Sequence, residues 1–106
     1  MYKRQLRRLR RKLTVEVLWL YIIAVLLRHG PTYGYDVRRR ITEDFGFKPA
    51  TVTTYTVLYR LQREGLLEKD EAGLYRVTSQ GVELFREALG FLRELVGGLE
   101  ASLPSN

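Results

Sequence analysis

Apolar positions recur along this chain mostly at helical spacing. Leu6, Leu9 and Leu13 are spaced three and four apart among basic residues, as on a one-sided helix. Val17 to Leu27, VLWLYIIAVLL, is eleven apolar residues in a row. A membrane span needs about 20, so a helix over about Thr14 to Arg28 is expected to be buried in protein. Gly30-Pro31-Thr32 then reads as a turn, with Thr32 as N-cap of a second helix over about Tyr33 to Asp44. Val37, Ile41 and Phe45 step by four along its inner side, and Gly46 closes it. In Thr51 to Gly65, TVTTYTVLYRLQREG, the stripe Val57, Leu58 and Leu61 predicts a third helix that Gly65 ends. TVTTYTV also has the β-branched content of a strand. Helix is favoured because LYRLQREG continues without a turn signal and Pro49 suits a first helical turn.

After Gly65 the pattern shortens. Leu66 to Asp70 and Leu74 to Val77 flank Glu71-Ala72-Gly73 and predict a hairpin, with Tyr75 and Val77 facing inward. Thr78 or Ser79 caps a last helix over about Gln80 to Leu99. Its residues Val82, Phe85, Leu89, Leu92, Val96 and Leu99 form a heptad seam. A second row, Leu84, Ala88, Phe91 and Leu95, runs beside it. Either one row faces a second copy of the chain, or a single wide stripe folds back on the first helix. The expected fold is mainly α with a small β hairpin: a winged helix-turn-helix plus a C-terminal dimerisation helix. Residues 1–13 form a basic arm or helix extension, 14–78 the winged domain, 79–99 the dimerisation helix and 100–106 a flexible tail.

Charge sharpens this picture. The net charge is +6, yet residues 1–12 hold seven cations and no acid, leaving −1 for the rest. Nucleic acid suits such an arm best, an anionic membrane surface second, and a solvated tail is the plain alternative. In the groove-reading scheme, the third helix offers Thr51, Thr53, Thr54, Tyr59, Arg60 and Arg63 to phosphates and base edges, with Tyr55 partly buried. Lys48, Arg38 and Arg39 are candidates for the DNA backbone, Lys69 and Arg76 for the wing, and Arg7, Arg8, Arg10 and Arg11 for the arm.

With no cysteine there is no disulfide or thiolate site, which suits a reducing cytoplasm. His29, the only histidine, reads as a capping or solvated residue without a metal role. No phosphate loop or nucleophile–base pair stands out, so neither an enzyme nor a cofactor is expected. Trp19 reads as core or interface.

Three stretches resemble the PadR-like transcriptional regulators: GPTYGYDVRRRI at 30–41, TTYTVLYRLQREGLLE at 53–68 and YRVTSQG at 75–81. Gly30, Pro31, Gly34 and Tyr35 match the family's second-helix start. Tyr55, Leu58, Leu61, Gly65 and Leu66 match its third-helix run, and Tyr75, Val77, Thr78 and Gly81 its wing closure. The resemblance implies a homodimer bound to double-stranded DNA, usually as a repressor, with the last helix making the dimer. It also implies a possible small-molecule effector near that interface, where Trp19, Phe85 and Phe91 could line a pocket. Thr54 stands where the family usually has Leu or Ile. The wing tip, Asp70-Glu71-Ala72-Gly73, is acidic and short, and the arm is more basic than the family's usual start. Two other readings stand beside this one: a sequence-indifferent architectural DNA-binding protein and a winged-helix protein-interaction module.

Overall fold

The computed structural model describes residues 3–105; Met1 and Tyr2 of the expected arm and Asn106 of the expected tail lie outside the described residues. Helix α1 (Lys3–Lys12) leads through a 3-10 turn (Val15–Val17) into α2 (Leu18–His29). Strand β1 (Thr32–Tyr33), α3 (Gly34–Phe45), α4 (Thr51–Arg63), β2 (Leu67–Lys69), β3 (Leu74–Val77) and α5 (Ser79–Glu100) follow. The strands form one antiparallel sheet in the order β1-β3-β2.

α2 is the centre of the core. Ile22, Ile23 and Val25 are fully buried, Leu18 and Leu26 nearly so, and α3, α4 and β3 pack around them. Val37 and Ile41 come in from α3, Val57, Leu58 and Leu61 from α4, and Leu67 and Tyr75 from the sheet. The third helix is therefore a helix, as its apolar stripe required: burial of one face overrides the strand preference of its threonines.

Four expectations need correction. The first helix does not run unbroken from Thr14: β-branched Thr14, Val15 and Val17 interrupt it, and the Thr14 hydroxyl donates back to the Arg10 carbonyl at 2.7 Å. The arm is thus a separate helix. Thr32 does not cap α3; it is buried in β1 opposite Tyr75, and its hydroxyl donates to the Gly30 carbonyl at 2.8 Å. The hairpin gains this third strand because a two-residue strand is defined by its partner and leaves no periodic signal of its own. Phe45 is not core but 40% exposed, set edge-on to Tyr21 with ring centroids 5.1 Å apart. His29 does not cap α2 and, though exposed, it has a partner: its Nε2 lies 2.7 Å from the Asp44 carboxylate, and Arg28 joins at 3.5 Å, tying the ends of α2 and α3 together.

The Tyr21 hydroxyl donates to the Leu13 carbonyl, and its ring meets Phe47 at 4.9 Å, so one side chain joins the α1–α2 break to the end of α3. Burial pushes the Tyr21 phenol above its ordinary pKa.

A second junction closes the wing. Gly65 sits at φ +78° and turns the chain out of α4. Thr78 accepts from the Gly81 amide at 3.1 Å as N-cap of α5 and donates to the Gly65 carbonyl at 2.7 Å. Gly81 is buried there: a Cβ would lie 2.3 Å from the Leu66 carbonyl oxygen and 2.6 Å from Val77 Cγ1.

Gly81→Ala is therefore expected to destabilise the fold by about 1–3 kcal/mol, since backbone has to move. Gly90→Ala, where a Cβ meets open space, should stabilise by about 0.5–1 kcal/mol. Thermal unfolding of the two variants checks this; equal melting temperatures would mean that α5 is not held against Leu66.

Candidate nucleic-acid interface

α4 has two chemically different sides. Thr54, Val57, Leu58 and Leu61 turn into the core. At about 100° per residue, the opposite direction belongs to Val52, Thr56, Tyr59 and Arg63. Tyr55 lies on one flank, Thr53 and Arg60 on the other, and Thr51 opens the helix; all of these are exposed. The Arg63 guanidinium lies 5.7 Å from the centre of the Tyr59 ring, which supports that aromatic from behind.

Thr54 is a correction to the expected contacts. Its side chain has no exposure and its hydroxyl donates to the Ala50 carbonyl at 2.7 Å. It precedes Val57, Leu58 and Leu61 by three, four and seven positions, so it lies on their stripe. A threonine is tolerated there because the carbonyl four residues back satisfies its hydroxyl. Val52 is an outward-facing side chain that the list of expected contacts left out. At 78% exposed it is the most open large apolar side chain of α4, and its methyls suit the methyl group of thymine. The signal lies in its spacing, four and seven residues ahead of Thr56 and Tyr59.

Ala50 gives α4 no side-chain cap, so the amides of the first turn have no such partner. Lys48, Tyr35, Arg38, Arg39 and Thr42 line an open groove of about 340 Å³ beside this end. Its cations are not equivalent. Arg38 Nε donates to the Pro49 carbonyl at 2.7 Å and braces the turn between α3 and α4. Arg39 donates to both Asp36 oxygens at 2.8 Å and to Glu43 at 3.0 Å. The hydrogen bonds from Arg39 to Asp36 hold that carboxyl below its ordinary pKa. Neither Arg38 nor Lys48 makes an ion pair among the described residues, and Lys48 alone of the three makes no side-chain hydrogen bond either.

One acid of the wing is paired from within. Asp70 accepts from the Leu74 amide at 3.0 Å and from Arg76 Nη2 at 3.0 Å. The Leu74 amide first, and Arg76 after it, hold the carboxyl below its usual value. Because both Asp36 and Asp70 are depressed, their pairs contribute above the unfolded aspartate value, about pH 4. That contribution is lost as pH falls through the lowered values. Lys69 lies over the Tyr75 ring at 5.4 Å. Both wing cations are thus engaged at home. Tyr33 and Tyr35 stack nearby, with centroids 5.2 Å apart and planes within 10°, and Tyr35 is 72% exposed.

α1 is exposed along its whole length and packs on the turn at Val15–Val17, not on α4. Arg7, Arg8, Arg10 and Arg11 make no ion pair among the described residues, and Lys12 pairs with Glu16 at 3.1 Å. The cations therefore fall into two surfaces, one at α4 and its entry and one on α1.

α5 divides by length rather than by row. Val82, Phe85, Leu89 and Leu92 are half-buried at home, and Phe85 packs on the core. From Phe91 onward only Leu92 stays half-buried among the described residues: Phe91, Leu95, Val96 and Leu99 are all exposed. At about 1.5 Å per residue, the helix outruns the small domain beneath it. Trp19 and Phe91, with Leu13, Val17, Leu92 and Leu95, line an apolar cavity of about 340 Å³ from which Phe85 is absent. No helix among the described residues is long and apolar enough to cross a membrane.

A family model described as the transcriptional regulator PadR-like family matches residues 22–87. Among solved structures, a PadR family transcriptional regulator from Eggerthella lenta DSM 2243 superposes with a TM-score of 0.78 at 24% identity, covering 99% of this chain and 97% of its own. F93 from STIV, a winged-helix DNA-binding protein, gives 0.69 at 21% identity over 78% of this chain and 95% of its own. A transcriptional regulator from Clostridium thermocellum gives 0.63 at 20% identity over 81% and 92%. No curated protein matches the chain significantly. The winged fold is common to this chain and these structures.

Placement of Thr54 in the core and Val52 outside it makes a paired prediction. Thr54→Val should leave affinity for duplex DNA within about twofold, whereas Val52→Asp, which brings a carboxylate toward phosphate, should weaken it at least tenfold, about 1.4 kcal/mol. Fluorescence anisotropy on a labelled duplex checks both, and the reverse order would remove the outward face of α4 from the interface.

Proposed function

The chain belongs to the transcriptional regulator PadR-like family, and we propose that it acts as a homodimeric repressor with α4 in the major groove of double-stranded DNA. The observation that carries this reading is α4 itself. Its outward face combines Thr53, Thr56, Tyr59, Arg60 and Arg63 with the exposed Val52, a mixture of hydroxyls, guanidinium groups and apolar methyls suited to base edges. Lys48 and the uncapped first turn of α4 favour phosphate beside it. The second copy is favoured by the length of α5 left uncovered beyond Leu92. The cationic α1 adds a backbone contact that replaces what the wing, with Arg76 and Lys69 engaged internally, does not offer.

That last feature also fits an architectural protein indifferent to sequence, and one experiment separates the two. Anisotropy is measured on the duplex upstream of the protein's own gene and on a shuffled control, at low and near-physiological salt. Roughly a thousandfold preference or more that survives salt is expected for an operator binder. Equal affinities that collapse together in salt would count against the repressor.

Two variants resolve the contacts. Arg60→Ala should cost about 1–3 kcal/mol and relax preference at one base position if Arg60 reads guanine. A loss equal on all sequences would reassign it to phosphate. Deleting residues 1–12 should weaken binding and flatten its salt dependence, and an unchanged salt slope would remove α1 from the interface.

A further inference from the structure

Tyr33 and Tyr35 form an aromatic step beside the entry of α4, and we propose that it holds an unpaired nucleobase of single-stranded DNA next to the duplex face. The inference rests on the reading of α4 and Lys48 as that face, and adds a second form of DNA that the chain takes up. A paired helix shows α4 the edges of its bases. The flat face of a base is open to an aromatic ring only where the strand is unpaired.

Neighbouring elements hold the step in place. Tyr33 ends β1, Tyr35 lies in the first turn of α3, and Gly34 stands between them. A Cβ on Gly34 would lie 3.0 Å from the Tyr55 ring and 3.3 Å from the Tyr75 ring, so rings from α4 and β3 back the turn that carries the pair. A Cβ on Gly73 would lie 3.8 Å from the Tyr33 ring, which sets the wing tip against the inner member. The outer member is bare. Tyr35 is 72% exposed against 39% for Tyr33. One side of its ring rests on Tyr33, and no other ring and no cation lies over it among the described residues.

A cation stands next to this bare ring. Tyr35 lines the open groove of about 340 Å³ together with Lys48, whose ammonium has no carboxylate partner among the described residues. A stacking ring beside a cation that takes the backbone is the combination by which proteins hold single strands. A phosphate of the strand goes to Lys48, and the adjoining base lies on Tyr35. Because Tyr33 already fixes the plane of that ring, little side-chain freedom is lost when a base arrives. A tyrosine serving only to offer its hydroxyl to a duplex phosphate would need neither the stacked partner nor the bare face. The chain thus has a place for a base turned out of a locally opened double helix.

The test is fluorescence anisotropy of the full chain with three labelled probes at one salt concentration. They are a single strand of thymidines, an abasic strand of the same length, and the duplex upstream of the protein's own gene. The abasic strand carries the same phosphates without bases, so it measures attraction to the cations alone. The thymidine strand is expected to bind roughly tenfold or more tighter than the abasic strand. Tyr35→Ala should bring the two strands within about twofold of each other, whereas Tyr35→Phe, which keeps the ring, should keep the difference. With 5-iododeoxyuridine in place of thymidine, ultraviolet light should join the strand to Tyr35, located by mass spectrometry. Equal affinity of the full chain for the two strands overturns the stacking, and leaves the reading of α4 standing if the duplex is still bound. A preference for bases that survives Tyr35→Ala, or cross-links confined to residues outside the tyrosine pair, overturns it as well. Duplex affinity lost in Tyr35→Phe, in a chain that does not distinguish the two strands, would assign the hydroxyl to a duplex phosphate instead. A chain that binds none of the three probes overturns both readings.

Discussion

Burial of α2 is the constraint on which the other elements depend. Ile22, Ile23 and Val25 have no exposure on a helix that α3, α4, α5 and β3 all touch. A helix apolar nearly all round has no stable solvent-facing orientation, so the remaining elements must enclose it. Each does so with one face only: Val37 and Ile41 from α3, Leu58 and Leu61 from α4, Tyr75 from β3. The opposite faces are then free to carry charge and hydroxyls. The division of α4 into a core side and an outer side follows from what α2 demands.

The elements most legible in the sequence are those whose pattern repeats. α3, α4 and α5 end within a residue or two of their expected bounds, and Gly46, Gly65 and Gly73 take the positive φ expected at helix and hairpin ends. What was not legible depends on a partner distant in sequence. β1 has two residues and exists because Tyr75 and Leu74 lie opposite them. Thr54 looked like its exposed neighbours because its residue type resembles theirs, while its position belongs to the buried stripe. Its burial turns on an Ala50 carbonyl that accepts its hydroxyl. Gly81 matched a motif without revealing why; the reason is the Leu66 carbonyl, fifteen positions earlier, pressed against the place of its absent side chain.

Charge was harder still to read from the chain. Counting cations treats Arg38, Arg39, Lys48 and Arg76 alike, yet the fold assigns them different duties. Arg38 braces a turn, Arg39 bridges two acids along α3 and Arg76 answers Asp70. An exposed ion pair contributes little stability, about 0–1 kcal/mol, but it changes what a cation can offer to a third party. A guanidinium already bonded to carboxylate has less left for phosphate than the isolated ammonium of Lys48. The same pairing offsets the charge of Asp70 at the wing tip and leaves that of Glu71 beside it.

The threonine-rich start of α4 has a consequence outside the folded state. TVTTYTVLY, residues 51–59, is nine residues without charge, proline or glycine, and its side chains are those that favour extended backbone. The native fold holds the segment helical by burying one side of it. Once the core opens that restraint is gone, and the freed stretch has the composition of a steric zipper. Pro49 and Arg60 flank it as gatekeepers against stacking with other chains. The side chains that suit a DNA groove are thus also those that suit a fibril, and the helical state of α4 keeps this chain on the soluble side of that boundary.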